Sequence, residues 1–378
     1  MTTETTGATG SPGHGQELET GSDDAPRQLA LHDLHASLGA KWGADSGVRL
    51  PLHYGDPAAE REAVETGVGL WDASGCDRLE LLGADRHRFL NGMMTADVGA
   101  LEAGRCLYGL FTNVKGRILA DATLMAHEDR LWVRLPATTG AAIREHLSRF
   151  IIADQVEIRP LADMVPLALV GPGAPDVVAR RVDALPEPGE HRKVDLDGTE
   201  ACLARESRFG VPAFSLWVSA SLAPGLASAL LAADDAPALV GFEAIEGARI
   251  ERSIPRFGRE IGPDTFPQEA GVDLAVSYTK GCYLGQEVVA RIHYRGGVQR
   301  QLRQLEIAST EPEAGQAISH DGREAGRLTS VAGRFAGDGW LGLAILANRA
   351  AEPGTVVELE GGGEATVLAA ADQRAMGL

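Results

Sequence analysis

Apolar positions along this chain recur with two periods, and the period changes every ten residues or so. Residues 29–38 carry helical spacing and stop at Gly39, residues 48–54 read as extended, and residues 58–68 read as a second helix ended by Gly69. The stretch from Leu70 alternates as a strand up to a turn at Gly83, and Asp85 stands where a cap for a helix over 86–90 is expected. Two alternating runs between Gly104 and Asp121 flank Asn113-Val114-Lys115-Gly116, the residue types of a tight turn, and predict a β-hairpin. Further strands at 122–125, 131–135 and 156–160 bracket an amphipathic helix over 138–150, with Ile143, Leu147 and Phe150 on one face.

The second half begins with a strand at 165–170 that runs into Gly171-Pro172-Gly173. That order mimics a dinucleotide fingerprint, but the third glycine is missing and Pro172 and Pro175 remove amide donors, so nucleotide binding is not expected there. Residues 178–182 read equally as helix or loop. Strands at 201–206 and 214–218 precede helices at 222–232 and 242–252, and then Pro- and Gly-punctuated loops cover 253–260 and 266–271. Leu274, Val276 and Tyr278 alternate as a strand, and residues 286–293 read as a short helix. Past Gln301, strands at 302–307, 327–331, 341–346, 355–360 and 364–368 predict a small antiparallel barrel or sandwich. With no internal repeat and no recurring β-α-β unit, the fold class is α+β with antiparallel sheets.

Composition narrows the function. The formal charge of −18 disfavours nucleic acid and anionic membranes as partners. No run of eighteen apolar residues occurs, and residues 1–27 have the Gly-, Thr-, Ser- and Asp-rich make-up of a disordered tail. Cys76, Cys106, Cys202 and Cys282 are widely scattered with no CxxC pair. They argue against a disulfide scaffold and a self-contained zinc or cluster site, and fit a reducing cytoplasm. Within the acidic chain, residues 249–303 hold nine basic and six acidic residues, an island suited to a small anionic ligand. His53, His293 and His320 show no triad spacing and read as surface or satisfied groups.

The densest chemistry lies in Lys280-Gly281-Cys282-Tyr283-Leu284-Gly285-Gln286-Glu287: a thiol, an ammonium, a carboxylate and two glycines in eight residues. On a strand-to-helix turn, the helix N-terminus and Lys280 would both favour the Cys282 thiolate. The bland alternative is a small buried Cys in a Gly-rich turn.

This stretch, continued through Arg291, resembles the signature of the YgfZ-type folate-binding proteins, whose mitochondrial relatives help mature iron–sulfur enzymes. The segment from Leu70 to Gly83, the hairpin, and Gly326-Arg327-Leu328-Thr329-Ser330 with Gly342-Leu343-Ala344 resemble the related glycine-cleavage aminomethyltransferases. The resemblance implies an aminomethyltransferase-like multi-domain fold around a central folate cavity, with two interleaved subdomains over 28–300 and a C-terminal β-barrel over 301–378. It implies tetrahydrofolate as cofactor and iron–sulfur client or assembly proteins as partners, with Cys282, Lys280 and Glu287 as the reactive group. It further implies Asp121, Asn113, Arg249, Tyr283, Gln286 and Arg291 at the folate, Arg249 gripping the ligand's carboxylates with its planar fork. The aminomethyltransferases carry two adjacent acids at the hairpin; here Ala120 precedes Asp121. A folate-dependent aminomethyl or methyl transferase and a non-catalytic scaffold are the competing readings.

Overall fold

In a computed structural model, which describes residues 25–206, 209–308 and 311–368, the strands gather into three sheets and one closed barrel. The tail expected over 1–27 falls, as far as residue 24, outside the described residues. Arg27–Gln28 is a short strand paired in parallel with Val48 and Arg49.

The run from Leu70 to Leu82 is two strands in two different sheets, where its alternation predicted one. Gly69–Asp72 joins a six-stranded sheet and Asp77–Leu82 a five-stranded one. Asp72 causes the break. Its inward carboxylate accepts the Leu31 and Ser74 backbone N–H groups at 2.9 and 3.0 Å and meets His35 Nε2 at 3.0 Å, so the chain turns around it. Asp85 does stand at a helix N-cap, but its carboxylate accepts from the Gln155 N–H at 2.8 Å and leaves the helix uncapped by a side chain.

The five-stranded antiparallel sheet runs Cys106–Thr112, Ile118–Ala126, Arg130–Leu135, Asp77–Leu82, Glu157–Pro160. The predicted hairpin forms its first two strands, with a register shift between Phe111 and Thr112. One face buries Leu79, Leu81, Phe111, Ala120 and Leu124 with Ile143 and Leu147 of the helix Gly140–Ser148. Phe150, expected on that helix face, lies past its end and is exposed. The other face carries Leu110 and Ile118 and is covered by Ile261, Val272, Val276 and Val289 from the later half of the chain.

The six-stranded sheet runs His191–Leu196, Thr199–Glu206, Ala213–Ser219, Met164–Val170, Gly69–Asp72, Ala238–Leu239. Helices Ala174–Ala179 and Ala223–Leu231 pack on one face, and Pro57–Thr66 and Phe242–Glu251 on the other. Gly171 explains the apparent dinucleotide motif: at φ +126° it passes so near Gly67 that an added Cβ would sit 2.5 Å from that carbonyl oxygen. The Gly173 N–H is spent on the same oxygen at 2.8 Å.

The barrel closes in the order Arg300–Ile307, Trp340–Ala347, Arg323–Gly333, Ala317–His320, Val356–Leu359, Glu364–Val367, six strands where the alternation gave five. It docks on the C-terminal end of Phe242–Glu251, where Gln304 Nε2 donates to the Ile250 oxygen at 2.6 Å and the Glu251 oxygen at 3.1 Å.

Candidate functional site

The alternating residues 274–278 do not form a strand. Asp273–Ala275 is one 3₁₀ turn, closed by the Tyr278 hydroxyl donating to Asp273 at 2.9 Å, and Leu274 points to solvent. Thr95 then anchors residues 275–277: its hydroxyl donates to the Ala275 oxygen at 2.6 Å, and its own carbonyl accepts the Ser277 N–H at 2.9 Å.

Lys280 is a strut. Its Nζ donates to the carbonyl oxygens of Asn91, Met94 and Ala96 at 2.6, 2.8 and 2.7 Å, and lies 5.3 Å from the centre of the buried Tyr283 ring. Burial pulls its pKa down to about 8, with Asp97 opposing the fall. Four residues on, the Leu284 N–H bonds the Gly92 oxygen at 3.0 Å and the Leu284 oxygen accepts the Thr112 hydroxyl at 2.6 Å. Gly285 has φ +87°, and a Cβ there would fall 2.4 Å from the Asn113 oxygen. Only glycine fits. The hairpin tip and the Lys280–Glu287 loop are thus packed backbone to backbone.

Cys282 sits at the exposed crest of this pinned loop, three residues before Gly285, the N-cap of the short helix Gln286–Arg291. Lys280 is committed to the three carbonyls, and the helix begins beyond Gly285, leaving Cys282 outside its first turn. Gln286 is half-buried; Glu287 and Arg291 are exposed. The Asn113 side-chain oxygen is occupied by the Lys115 and Arg117 N–H groups, which shape the turn.

Arg249 departs from the expected carboxylate grip. It is 5% exposed and donates to Glu246 twice, to the Ile254 oxygen, to Glu260 and to Ser330 Oγ. All five N–H groups are committed, and Ser330 belongs to the barrel. Its physical role here is to bolt the barrel to the body.

Asp121 is half-buried and opposite Leu110, so it shares the sheet face that the later segment covers, and it accepts a hydrogen bond from the Tyr108 hydroxyl at 3.2 Å. Ala120 faces the opposite core with no exposure. An acid at position 120 would point into that apolar core, so its absence takes nothing from the face that Asp121 occupies.

Between body and barrel opens a cleft of about 460 Å³, within the usual range for small-ligand sites, lined by Gln268, Asp273, His293, Gly297, Gln301 and Asn348 among others. The Tyr278 and His293 rings stack at 3.7 Å. Gln268 donates to the Tyr278 oxygen and the Val289 carbonyl at 3.0 and 3.1 Å, while its buried Oε1 has no hydrogen-bond partner. A buried, unmatched acceptor suits an N–H-rich ligand. The helix expected over 286–293 relaxes into a π turn at Ile292–Gly296 along this cleft, which places His293 in its wall. Sequence reasoning marked the 266–271 loop by its resemblance to a folate-lining segment without singling out Gln268, and missed Tyr108 and the cleft role of His293. Tyr108 alone carried a signal, since hairpin register sets it on the Asp121 face.

Two interleaved sheets with a docked antiparallel barrel define the aminomethyltransferase-like class. Residues 31–280 match the GCVT N-terminal domain and residues 300–372 the glycine cleavage T-protein C-terminal barrel domain. The chain belongs to the glycine-cleavage T-protein family. It is 28% identical to an aminomethyltransferase of Bacillus subtilis (88% of this chain, 94% of the relative). It is 30% identical to one of Rubrobacter xylanophilus (80% and 82%). The crystal structure of the glycine cleavage system aminomethyltransferase T of Bartonella henselae superposes with TM-score 0.83 at 25% identity, covering 91% of this chain and 97% of that one. Among the described residues no helix is long and apolar enough to cross a membrane.

Proposed function

We propose that this protein binds tetrahydrofolate between its body and barrel and acts as a folate-dependent one-carbon transferase of the aminomethyl type. The observation that carries this reading is the shared face. Asp121, held by Tyr108, lies on the sheet surface that the segment bearing Gln268, Tyr278 and the Lys280–Glu287 loop covers. The carboxylate accepts hydrogen bonds from amine or pterin N–H groups, the Gln268 oxygen accepts another, and the stacked Tyr278–His293 pair offers a flat wall to a flat ring. Relatives named aminomethyltransferase over nearly the whole chain support the same chemistry.

The test is transfer itself: purified protein, tetrahydrofolate and an aminomethyl donor, with formation of methylene-tetrahydrofolate followed by absorbance. Asp121→Asn should lower kcat/KM by about 10²-fold or more, the usual scale for a positioned acid or base. Absence of transfer with every donor, in protein that binds folate, would remove the transferase reading.

A second reading rests on Cys282. An exposed thiol on a loop fixed from both sides is a poor choice for packing and a good one for presenting sulfur to a partner. In that reading the protein is a YgfZ-type folate-binding factor in the cytoplasm that supports assembly or repair of iron–sulfur enzymes, with any cluster contact shared, since one thiol cannot hold a cluster. Loss of iron–sulfur enzyme activity in a strain carrying only Cys282→Ala favours this reading; full activity there refutes it.

A further inference from the structure

Away from the cleft, three side chains from distant parts of the sequence meet where the two large sheets join. His127 follows the last residue of the strand Ile118–Ala126 in the five-stranded sheet. His191 and Cys202 lie on adjacent strands of the six-stranded sheet, whose register pairs His191 with Ala204 and so puts Cys202 two residues along on the same face. A ring nitrogen of each histidine and the Cys202 sulfur all lie within 4.8 Å of one another.

The details favour metal ligation over ordinary core packing. His191 Nε2 meets the Ala126 carbonyl oxygen at 2.8 Å and must donate to it, which leaves Nδ1 to accept from the Cys202 thiol. That Nδ1 faces the Cys202 sulfur at 3.3 Å. A backbone carbonyl fixing the far nitrogen of an imidazole is the usual support of a metal-binding histidine. His127 Nε2 is buried with no hydrogen-bond partner, and its ring lies 4.6 Å from that of His191 and 4.2 Å from that of Trp132. A tetrahedral zinc ion holds its nitrogen and sulfur ligands about 3.4–3.7 Å apart; the His191–Cys202 pair at 3.3 Å is already that close, and separations of up to 4.8 Å must close by about 1 Å.

We propose that His127, His191 and Cys202 form a zinc(II) site that staples the two sheets, with its fourth position open to water or a small ligand beside the half-buried His127. On binding, zinc takes lone pairs from the two ring nitrogens and from sulfur, and the Cys202 proton leaves to solvent. Without metal, burial keeps that proton on sulfur and the pKa up at about 12, with Lys193 opposing. Burial, with His191 and Arg130, holds His127 neutral and free to ligate.

The test uses the full chain stripped of metal with a chelator. Zinc is titrated in competition with a chromophoric chelator, and cobalt(II) is added as a spectroscopic stand-in. One equivalent should bind and cobalt should give a near-ultraviolet sulfur-to-cobalt charge-transfer band. Cys202→Ser should abolish the band and weaken zinc binding at least about 100-fold, while Cys282→Ala leaves both intact. His127→Gln, at a half-buried position, should weaken zinc at least about tenfold. Circular dichroism of each variant separates lost ligation from lost fold. The site is refuted if native protein shows no charge-transfer band, or if folded Cys202→Ser or His127→Gln binds zinc as native protein does.

Discussion

Replacing Lys280 by methionine keeps the length of the side chain and removes its charge, which isolates the strut from its packing. Three carbonyl oxygens, of Asn91, Met94 and Ala96, lose a donor at 2.6–2.8 Å. Ala96 keeps the Val98 N–H at 3.0 Å, so two acceptors carry the cost. At about 1–3 kcal/mol for each acceptor left unmatched, the gross loss is about 4 kcal/mol. The fall of the Lys280 pKa from 10.5 to about 8 is worth about 3 kcal/mol undiscounted and about 2 kcal/mol once solvent screening of the half-buried ammonium is allowed for, so removing the charge leaves a net loss of about 2 kcal/mol. The loss is local, because Lys280 joins one loop to one backbone segment. Amide hydrogen exchange is therefore the assay. The Ser277 and Leu284 amides, bonded to the Thr95 and Gly92 oxygens, should exchange about 30-fold faster in Lys280→Met, while amides of the barrel stay unchanged. Exchange at those two amides within about threefold of native would show that the ammonium does not hold the loop.

Gly285→Ala should be more damaging than any exposed change nearby: a φ of +87° and a 2.4 Å clash with the Asn113 oxygen force the loop off the hairpin, lowering the melting temperature and exposing the hairpin tip to protease. A thiol reagent such as DTNB should label native protein with a fast phase that is lost in Cys282→Ala, since Cys282 is the exposed thiol of the four, while Cys202 is buried and burial raises the pKa of both Cys106 and Cys202. Lys280 also sets a pH dependence. Its folded pKa of about 8 lies below the ordinary 10.5, so between those values the unfolded chain holds the extra proton, and this group's contribution to stability grows as pH rises through the window. Urea unfolding of native protein should gain on Lys280→Met between pH 8 and 10.5; a parallel pair of curves would contradict the burial argument.

The hairpin could be read from the chain because its determinants are local: alternation sets the strands, and Asn113 and Gly116 set the turn. The barrel was visible as a series of short strands, except for Ala317–His320, whose four residues are too few for an alternation to show. His191–Leu196 was missed for a similar reason. It is an edge strand, and its Arg192, Lys193 and Asp195 carry no alternation of apolar residues. In the site, the importance of residues 280–287 was legible and the division of labour was not. Lys280 bonds backbone oxygens, which have no signature in sequence, and Arg249 is captured by Glu260 and Ser330, partners fixed only once the barrel docks. The triad of His127, His191 and Cys202 is created by sheet register across more than seventy positions, beyond the reach of spacing rules.

Calorimetric titration of the full chain with tetrahydrofolate tests whether body and barrel enclose a folate site on the Asp121 face. One molecule per chain should bind saturably, with binding weakened at least about tenfold by Gln268→Ala and by Asp121→Asn in folded protein. No binding at millimolar ligand, or binding indifferent to both substitutions, would contradict such a site.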